Sequence, residues 1–550
     1  MKPSGIHPSE VGRRYHRPSM YAVERFTDEE QDILRPYFTN LDLPVFALVN
    51  LPEVVKGALF ARYSRSDKSL RRLFLDEFVG DLDVSGDLSF DASVGLQRAE
   101  QLYDRVFLEY GDDSVAQLGG VHLACEQASN LLTKVLEWGR LMSYLEQSTR
   151  YIPYDTTLSG RFRYFRPPVL LGSSYGARYV GAMDTMFETY KAMLPTMMEW
   201  AREKYPKAPT DSDFVYKQTI KAKACDAVRG ILPAATLSNV GIYGSGQAFE
   251  ALVLRMRSHA LPEARDYAEL VLDELRKVVP SFLSRIDRPE RGGAWVKYLE
   301  ATRDETAQLA ATFFVDDAPD PVSEVVLVDF DPEGEDKVIA AICYPHTHLS
   351  ETQVLDRVQR MSGAERMALV EAYVGTRENR RHKPGRAFER TNYRFDVLGD
   401  YGAFRDLQRH RMLTIEWQSL TPRHGYDTPP ALSEAGTENA FAHAMERSAE
   451  FYDDLAPTFP HEASYAVALA YRMRYVMQMN AREAMHLTEL RSSPQGHATY
   501  RRVAQAMHAL IAQRHPAIGA AMKYVDYGEY ELERLSSERA AEARRIRSNQ

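Results

Sequence analysis

The sequence predicts a helix-rich α+β fold made of two tandem copies of one unit. Three observations predict it: apolar residues recur mostly at helical spacing, strand candidates are few, and ordered segments of the first half return in the second. In DYAELVLDELRKVVPSFL, Ala268, Val271, Leu272, Leu275 and Val278 follow the i, i+3, i+4 rule of an amphipathic helix, and Pro280 ends the stripe. Similar stripes from Ala128 to Leu141 and from Val467 to Leu490 are also expected to be helical. Strands are expected at Gly120–Ala124, Val325–Val328 and Tyr393–Leu398.

The repeat is visible in two places. PEVVKGALFARYS (52–64) parallels EDKVIAAICYP (335–345), and the surroundings of Arg140 parallel those of Arg411 at nearly the same interval. Between the copies, DDAPDPVS (316–323) has the Pro and Asp content of a linker. The expected organisation is an N-terminal arm (1–40), a first unit (41–315), a linker (316–322), a second unit (323–526) and a charged tail (527–550).

With 44% apolar and 26% charged residues among 550, the chain has the composition of a globular protein with a sizeable core. Its three cysteines show no C-x-x-C spacing, which excludes a disulfide framework and points to a reducing, cytoplasmic compartment. The first thirty residues lack an apolar signal segment, and no run of eighteen apolar residues occurs, so no membrane association is expected. A net charge of −9 argues against wholesale coating of nucleic acid. One local exception, RENRRHKPGRAFERTNYR (377–394), carries seven Lys/Arg against two Glu, with Phe388 and Tyr393 interleaved. Charge and aromatic rings together suit a nucleotide or single-stranded nucleic acid. His346 and His348 have no third ligand at metal spacing, so they are read as a solvated turn and no metal site is assigned.

Two segments carry the chemistry. In WGRLMSYLEQSTRYIPYD (138–155), Arg140 follows a helical stripe, and Glu146, Ser148 and Arg150 alternate after it. If this stretch is extended, the three share one face, and a hydroxyl and a guanidinium fork reach one phosphate. In DLQRHRMLTIEWQSLTPRHGYD (406–427), Arg409, His410 and Arg411 are consecutive. On a helix the two arginines would diverge by about 200° and serve different partners unless the helix ends there.

These residues resemble the signature of flavin-dependent thymidylate synthases, R-H-R-x-x-S-x-x-x-x-S-x-R. The second copy matches it with Arg409, His410, Arg411, Thr414 and Ser419, and the first with Arg140, Ser143, Ser148 and Arg150, Glu146 also being in register. Val228–Ser258 is similar to the family's Arg-x-x-Leu-Pro segment and following helix, and NAREAMHLTELR (480–491) resembles that helix closely. The resemblance implies two domains like the thymidylate synthase complementing protein. It also implies reductive methylation of deoxyuridine monophosphate (dUMP) to thymidylate, with FAD as cofactor and NADPH and methylenetetrahydrofolate as co-substrates. By position, Arg409, His410, Arg411, Asn480 and Arg482 would contact the flavin. Glu146, Ser148 and Arg150 would hold the nucleotide, with Arg140, Arg229 and Arg491 as further substrate-binding candidates. Because the family's enzymes are homotetramers, a homodimer of tandem chains is expected.

The copies depart from the signature in complementary ways. The first has Trp138-Gly139 in place of Arg-His, and Gln247 and Phe249 align with Asn480 and Arg482. The second has Trp417 in place of the Glu and Thr421 in place of the last Arg. The family's upstream histidine is matched by Asp112 or Asp113 in the first copy and approximately by His382 in the second. Two arrangements fit: composite working sites built from both copies, or a retained fold whose synthase activity is lost or repurposed for binding a nucleotide or nucleic acid.

Overall fold

The computed structural model describes residues 21–51, 53–63, 65–77, 119–315, 317–319 and 323–548. Two four-stranded antiparallel sheets have the same topology. In the first the order is β1 (Val45–Leu48), β2 (Gly120–Ser129), β4 (Leu237–Ser245), β3 (Met142–Glu146). In the second it is β5 (Val325–Phe330), β6 (Asn392–Asp400), β8 (Arg472–Asn480), β7 (Leu413–Trp417). The two segments that repeat in sequence, helices Glu53–Tyr63 and Gly334–Cys343, each follow the first strand of their sheet.

Each sheet turns into a helix at an equivalent cap. Ser129 ends β2 and its hydroxyl accepts the Leu132 amide (3.0 Å), starting the helix Asn130–Leu136. Asp400 ends β6 and accepts the Ala403 amide (2.8 Å), starting the helix Tyr401–Leu407. The helical stripe expected to reach Leu141 therefore stops earlier. The second expected stripe, Val467–Leu490, begins as a strand: Met473, Tyr475, Met477 and Met479 point inward and the residues between them are less buried. That is a period of two, whereas the helix Ala481–Arg491 takes up the period of 3.6 only after the Asn480 cap.

The copies meet about a local two-fold axis in the backbone. Pro233 and Ala468, each four residues ahead of β4 or β8, pair in an isolated antiparallel bridge. Around it the hydrogen bonds are reciprocal. Ala234 N donates to Val467 O (2.8 Å) and Leu469 N to Leu232 O (2.9 Å), while Ala235 N donates to Tyr465 O and Ala470 N to Gly230 O (both 3.0 Å). One apolar core runs through both copies, including the contact between helices Gly176–Lys204 and Glu438–Leu455, and a smaller one lies in the first copy around Phe46 and Phe74. The helix Leu535–Ser548 returns to the first copy and packs on the helix Asp213–Val228, with Glu533 paired to Lys223 (3.0 Å).

One buried carboxylate ties the seam together. Glu263 accepts the Ser129 amide (2.9 Å), the Ser129 hydroxyl (2.6 Å) and, from the other copy, the Tyr465 hydroxyl (2.6 Å). Burial raises its carboxyl above 4.5 to about 7, although these hydrogen bonds pull it part of the way back. A raised carboxyl pKa stabilises the fold below the unfolded value of 4.5, and that contribution disappears as pH rises through about 7. In urea, the unfolding midpoint of the native chain should therefore fall over this range relative to Glu263→Gln, measured at each pH by circular dichroism.

Candidate functional site

Glu146 ends β3 at the seam and is buried. It accepts Arg405 Nη2 from the second copy (2.8 Å) and Lys134 Nζ from its own copy (3.4 Å), with Arg409 Nη1 at 3.9 Å. Lys134 and Arg405 are each the fifth residue of their capped helix, so the two-fold brings equivalent cations to one carboxylate. Burial opposes ionisation, but Arg405, Lys134 and Arg409 outweigh it and hold the Glu146 carboxyl at about 2. Glu137, salt-bridged to the same Lys134 (2.6 Å), is displaced upward by burial and by the charge of Glu146.

Residues 148–151 form a turn rather than an extended run: the Tyr151 and Ile152 amides both donate to Ser148 O (3.2 Å each). Ser148 Oγ accepts the Arg150 amide (3.3 Å), so Ser148 and Arg150 do not share a strand face as the alternation predicted. Arg150 is buried, forks onto Asp226 (2.6 and 2.8 Å) and donates to Tyr500 OH (2.9 Å) and Gln495 O (3.3 Å). Arg229, in the short turn after helix Asp213–Val228, is also buried, and its Nη2 has no hydrogen-bond partner among the described residues. It borders a cavity of about 510 Å³ that Asp226, Asp400, His497 and Tyr530 help to line.

The Arg-His-Arg triplet lies past the end of helix Tyr401–Leu407, so helical divergence does not separate its arginines. Arg409 pairs with Asp406 and approaches Glu146. His410 is buried; its Nε2 accepts Arg491 Nε (3.0 Å), which places the ring proton on Nδ1, facing Glu483 (2.8 Å). Burial keeps His410 neutral and lifts Glu483 to about 7. His410, Glu483 and His486 are near enough to hold a metal ion. However, both nitrogens of His410 already have partners, and Lys383, Arg482 and Arg491 crowd the group with positive charge. Arg491 also reaches Asp406 (3.4 Å), so Asp406 joins Arg409 to Arg491.

Arg411 and Arg140 line a second cavity, of about 250 Å³, together with Arg255 and Trp138. Arg140 donates to Thr414 Oγ1 (2.9 Å), while Arg411 Nε has no hydrogen-bond partner among the described residues. Asn480 is used as a helix cap, accepting the Glu483 amide (2.9 Å), and Arg482 donates to Pro384 O (2.9 Å). The two caps, Ser245 and Asn480, correct the expected alignment by two residues: Ser245 stands for Asn480, Gln247 for Arg482 and Met256 for Arg491. Asp112 and Asp113 lie outside the described residues.

The two-fold related position is filled differently. Trp417 stands where Glu146 does and Trp138 where Arg409 does, and their rings meet edge to face at 5.3 Å. Trp138 Nε1 donates to Ile415 O (3.3 Å). Of the two related positions, one is a charged junction and the other is plugged with tryptophan.

A family model described as "Thymidylate synthase complementing protein" matches residues 68–281 and 326–517, taking in three strands of the first sheet and nearly all of the second. The chain belongs to that family. Over its length it is similar to UPF0159 proteins of Chlamydia muridarum (41% identical, covering 93% of this chain and 98% of the relative) and Chlamydia pneumoniae (40%, 94% and 98%). A UPF0159 protein of Thermoplasma acidophilum is 33% identical, covering 88% and 97%. The two family matches support the tandem duplication, and residues beyond 517 lie outside them. No helix among the described residues is long and apolar enough to cross a membrane.

Sequence reasoning missed the partners that organise this family member's site. Lys134, Asp226, Arg405, Asp406 and Glu483 carry no pattern of their own, although Asp406 stands one helical turn before Arg409. In the basic stretch, Arg377 is buried on Glu489 (2.6 Å), and Arg386 and Arg390 pair with Glu389 and Glu351. Phe388 and Tyr393 are core residues and are not placed to stack bases. Removing one partner of a buried charge pair leaves the other uncompensated. Arg405→Met should therefore cost about 3–5 kcal/mol of stability in chemical denaturation, and a double-mutant cycle with Glu146→Gln should reveal coupling between the copies.

Proposed function

We propose that the chain is a flavin-dependent thymidylate synthase-like enzyme that methylates dUMP reductively through one composite pocket. The observation that carries this reading is the junction at Glu146, where a first-copy residue assigned to the nucleotide is bonded to Arg405 of the second copy and approached at 3.9 Å by Arg409, a second-copy residue assigned to the flavin. The first copy lacks the Arg-His pair and the second lacks the Glu and the last Arg, so neither alone has a full set. Across the seam Glu146, Arg150, Arg229, Arg409, His410 and Arg491 make one set.

The donor set suits FAD. Guanidinium groups of Arg140, Arg255 and Arg411 surround the smaller cavity, and the buried Nε atoms of Arg409 and Arg411 lack hydrogen-bond partners among the described residues. At about 250 Å³ that cavity falls below the roughly 300–1,000 Å³ that encloses a drug-sized ligand. A dinucleotide would extend beyond it, and in the expected homodimer a second copy of the chain would supply the remaining wall. When bound, FAD would relay hydride from NADPH to the carbon delivered by methylenetetrahydrofolate. Glu146 stays ionised and so serves as an acceptor for a ring N–H or a ribose hydroxyl, not as a proton donor. The neutral His410 is held by Arg491 and Glu483 as an oriented donor–acceptor relay.

A second reading, a nucleotide-binding relative without synthase activity, is favoured by the internal pairing of these cations. Asp226 holds Arg150, and Asp406 holds Arg409 and Arg491. The visible spectrum of the purified chain, with and without dUMP, tests the flavin reading. A flavin signature that responds to dUMP and is lost in Arg409→Ala plus Arg411→Ala, with thymidylate formed from dUMP, NADPH and methylenetetrahydrofolate, is expected. Nucleotide binding by colourless protein that also fails to bind added FAD would establish the second reading.

A further inference from the structure

The segment beyond the family match brings a cation against the turn that holds Arg150 and Tyr151. After residue 517 the chain passes Glu529, Tyr530, Glu531 and Glu533, which help to wall the cavity beside Arg229, and enters the helix Leu535–Ser548 on the first copy. Just before that helix, the guanidinium of Arg534 lies over the Tyr151 ring, 3.9 Å from its centroid, and Arg65 approaches the same ring at 5.8 Å. Tyr151 directly follows Arg150, in the turn that presents Ser148.

Arg534 is 6% exposed. Its guanidinium makes no hydrogen bond or ion pair with any described residue, and its Nε is fully buried. Most other cations of the site have a carboxylate: Arg150 has Asp226, Arg405 has Glu146, and Arg409 and Arg491 have Asp406, whereas Arg229, like Arg534, makes no ion pair among the described residues. The charged groups facing Arg534 are Arg150, Arg65 and, on the helix that follows it, Glu538. Burial first and Arg150 second lower its guanidinium pKa, as expected for a cation held without a counter-ion. Burying a charge is unfavourable unless something compensates it. Tyr151 supplies part of that compensation through its ring face, and the planar fork that remains matches a phosphate.

We propose that Arg534, supplied by the C-terminal extension, binds the phosphate of the nucleotide in the composite pocket, making that extension a third contributor to the site. The nucleotide part of this proposal rests on the reading above, whereas the anion site itself does not. Isothermal titration of the full chain with dUMP, with deoxyuridine and with inorganic phosphate tests both. Arg534→Gln should weaken dUMP and phosphate binding about tenfold or more and leave deoxyuridine affinity unchanged. Arg534→Lys, which keeps the charge but loses the fork and stack, should fall between, and thermal midpoints show whether either variant is misfolded.

Arg534-dependent phosphate binding without any dUMP binding would preserve the anion site and remove the nucleotide reading. Phosphate affinity equal in the native chain and both folded variants would overturn the proposal. So would an equal loss of dUMP and deoxyuridine affinity, or a native chain that binds neither phosphate nor dUMP.

Discussion

The reciprocal backbone pairing about Pro233 and Ala468 is the constraint on which the rest of the molecule depends. Each bond is an ordinary amide–carbonyl contact, worth about 1 kcal/mol net. Their arrangement matters more than their strength: four bonds in two symmetric pairs fix translation and rotation between the copies. β4 and β8 start four residues later on each side, so both sheets inherit the register. The capped helices Asn130–Leu136 and Tyr401–Leu407 then present equivalent faces across the seam, where Tyr401 OH donates to Asn130 O (2.7 Å). Glu146 meets Arg405 because the backbone has already placed both.

Symmetry in the backbone coexists with asymmetry in the side chains. In a homodimer of separate subunits every substitution occurs on both sides of the axis. A tandem chain encodes the two sides independently, and here they have diverged in opposite chemical directions. One side holds Glu146 among Arg405, Lys134 and Arg409, while the other buries Trp138 against Trp417. The tryptophan pair needs no ligand to be stable, since two large rings packed edge to face lower the free energy on their own. Both sides bury donors without partners among the described residues, Arg405 and Arg409 Nε beside Glu146 and Arg255 Nε and Nη2 beside Trp138, but only the first side centres on a carboxylate.

Much of this was legible in the sequence. The tandem repeat, the helix-rich α+β class and the three named strands follow from spacing and self-similarity, and all three are present as β2, β5 and β6. β8 was read as helix because Val467–Leu490 is apolar at both periods and its alternation is partly filled by Val476. The two-residue misalignment of Ser245 with Asn480 arose because the first copy's helix keeps few of the second copy's polar residues to anchor it. At the site, motif residues were visible while their partners were not. Asp226 and Tyr500 are 274 positions apart in the chain and converge on Arg150 only through the fold. The turn at Ser148 was hidden for a similar reason, since two backbone hydrogen bonds, which no side chain advertises, set its shape.

The return of helix Leu535–Ser548 to the first copy bears on how the protein is made. Glu542 accepts a hydrogen bond from Ser212, 330 positions earlier. At the ~5–20 residues per second of ribosomal synthesis, that surface waits roughly 15–60 s for its cover. During that interval the first copy can form its own sheet, but Asp211, Lys223 and Tyr151 stay open to water. That surface of the first copy is thus covered by a segment made 330 positions later, after the whole second copy has been translated.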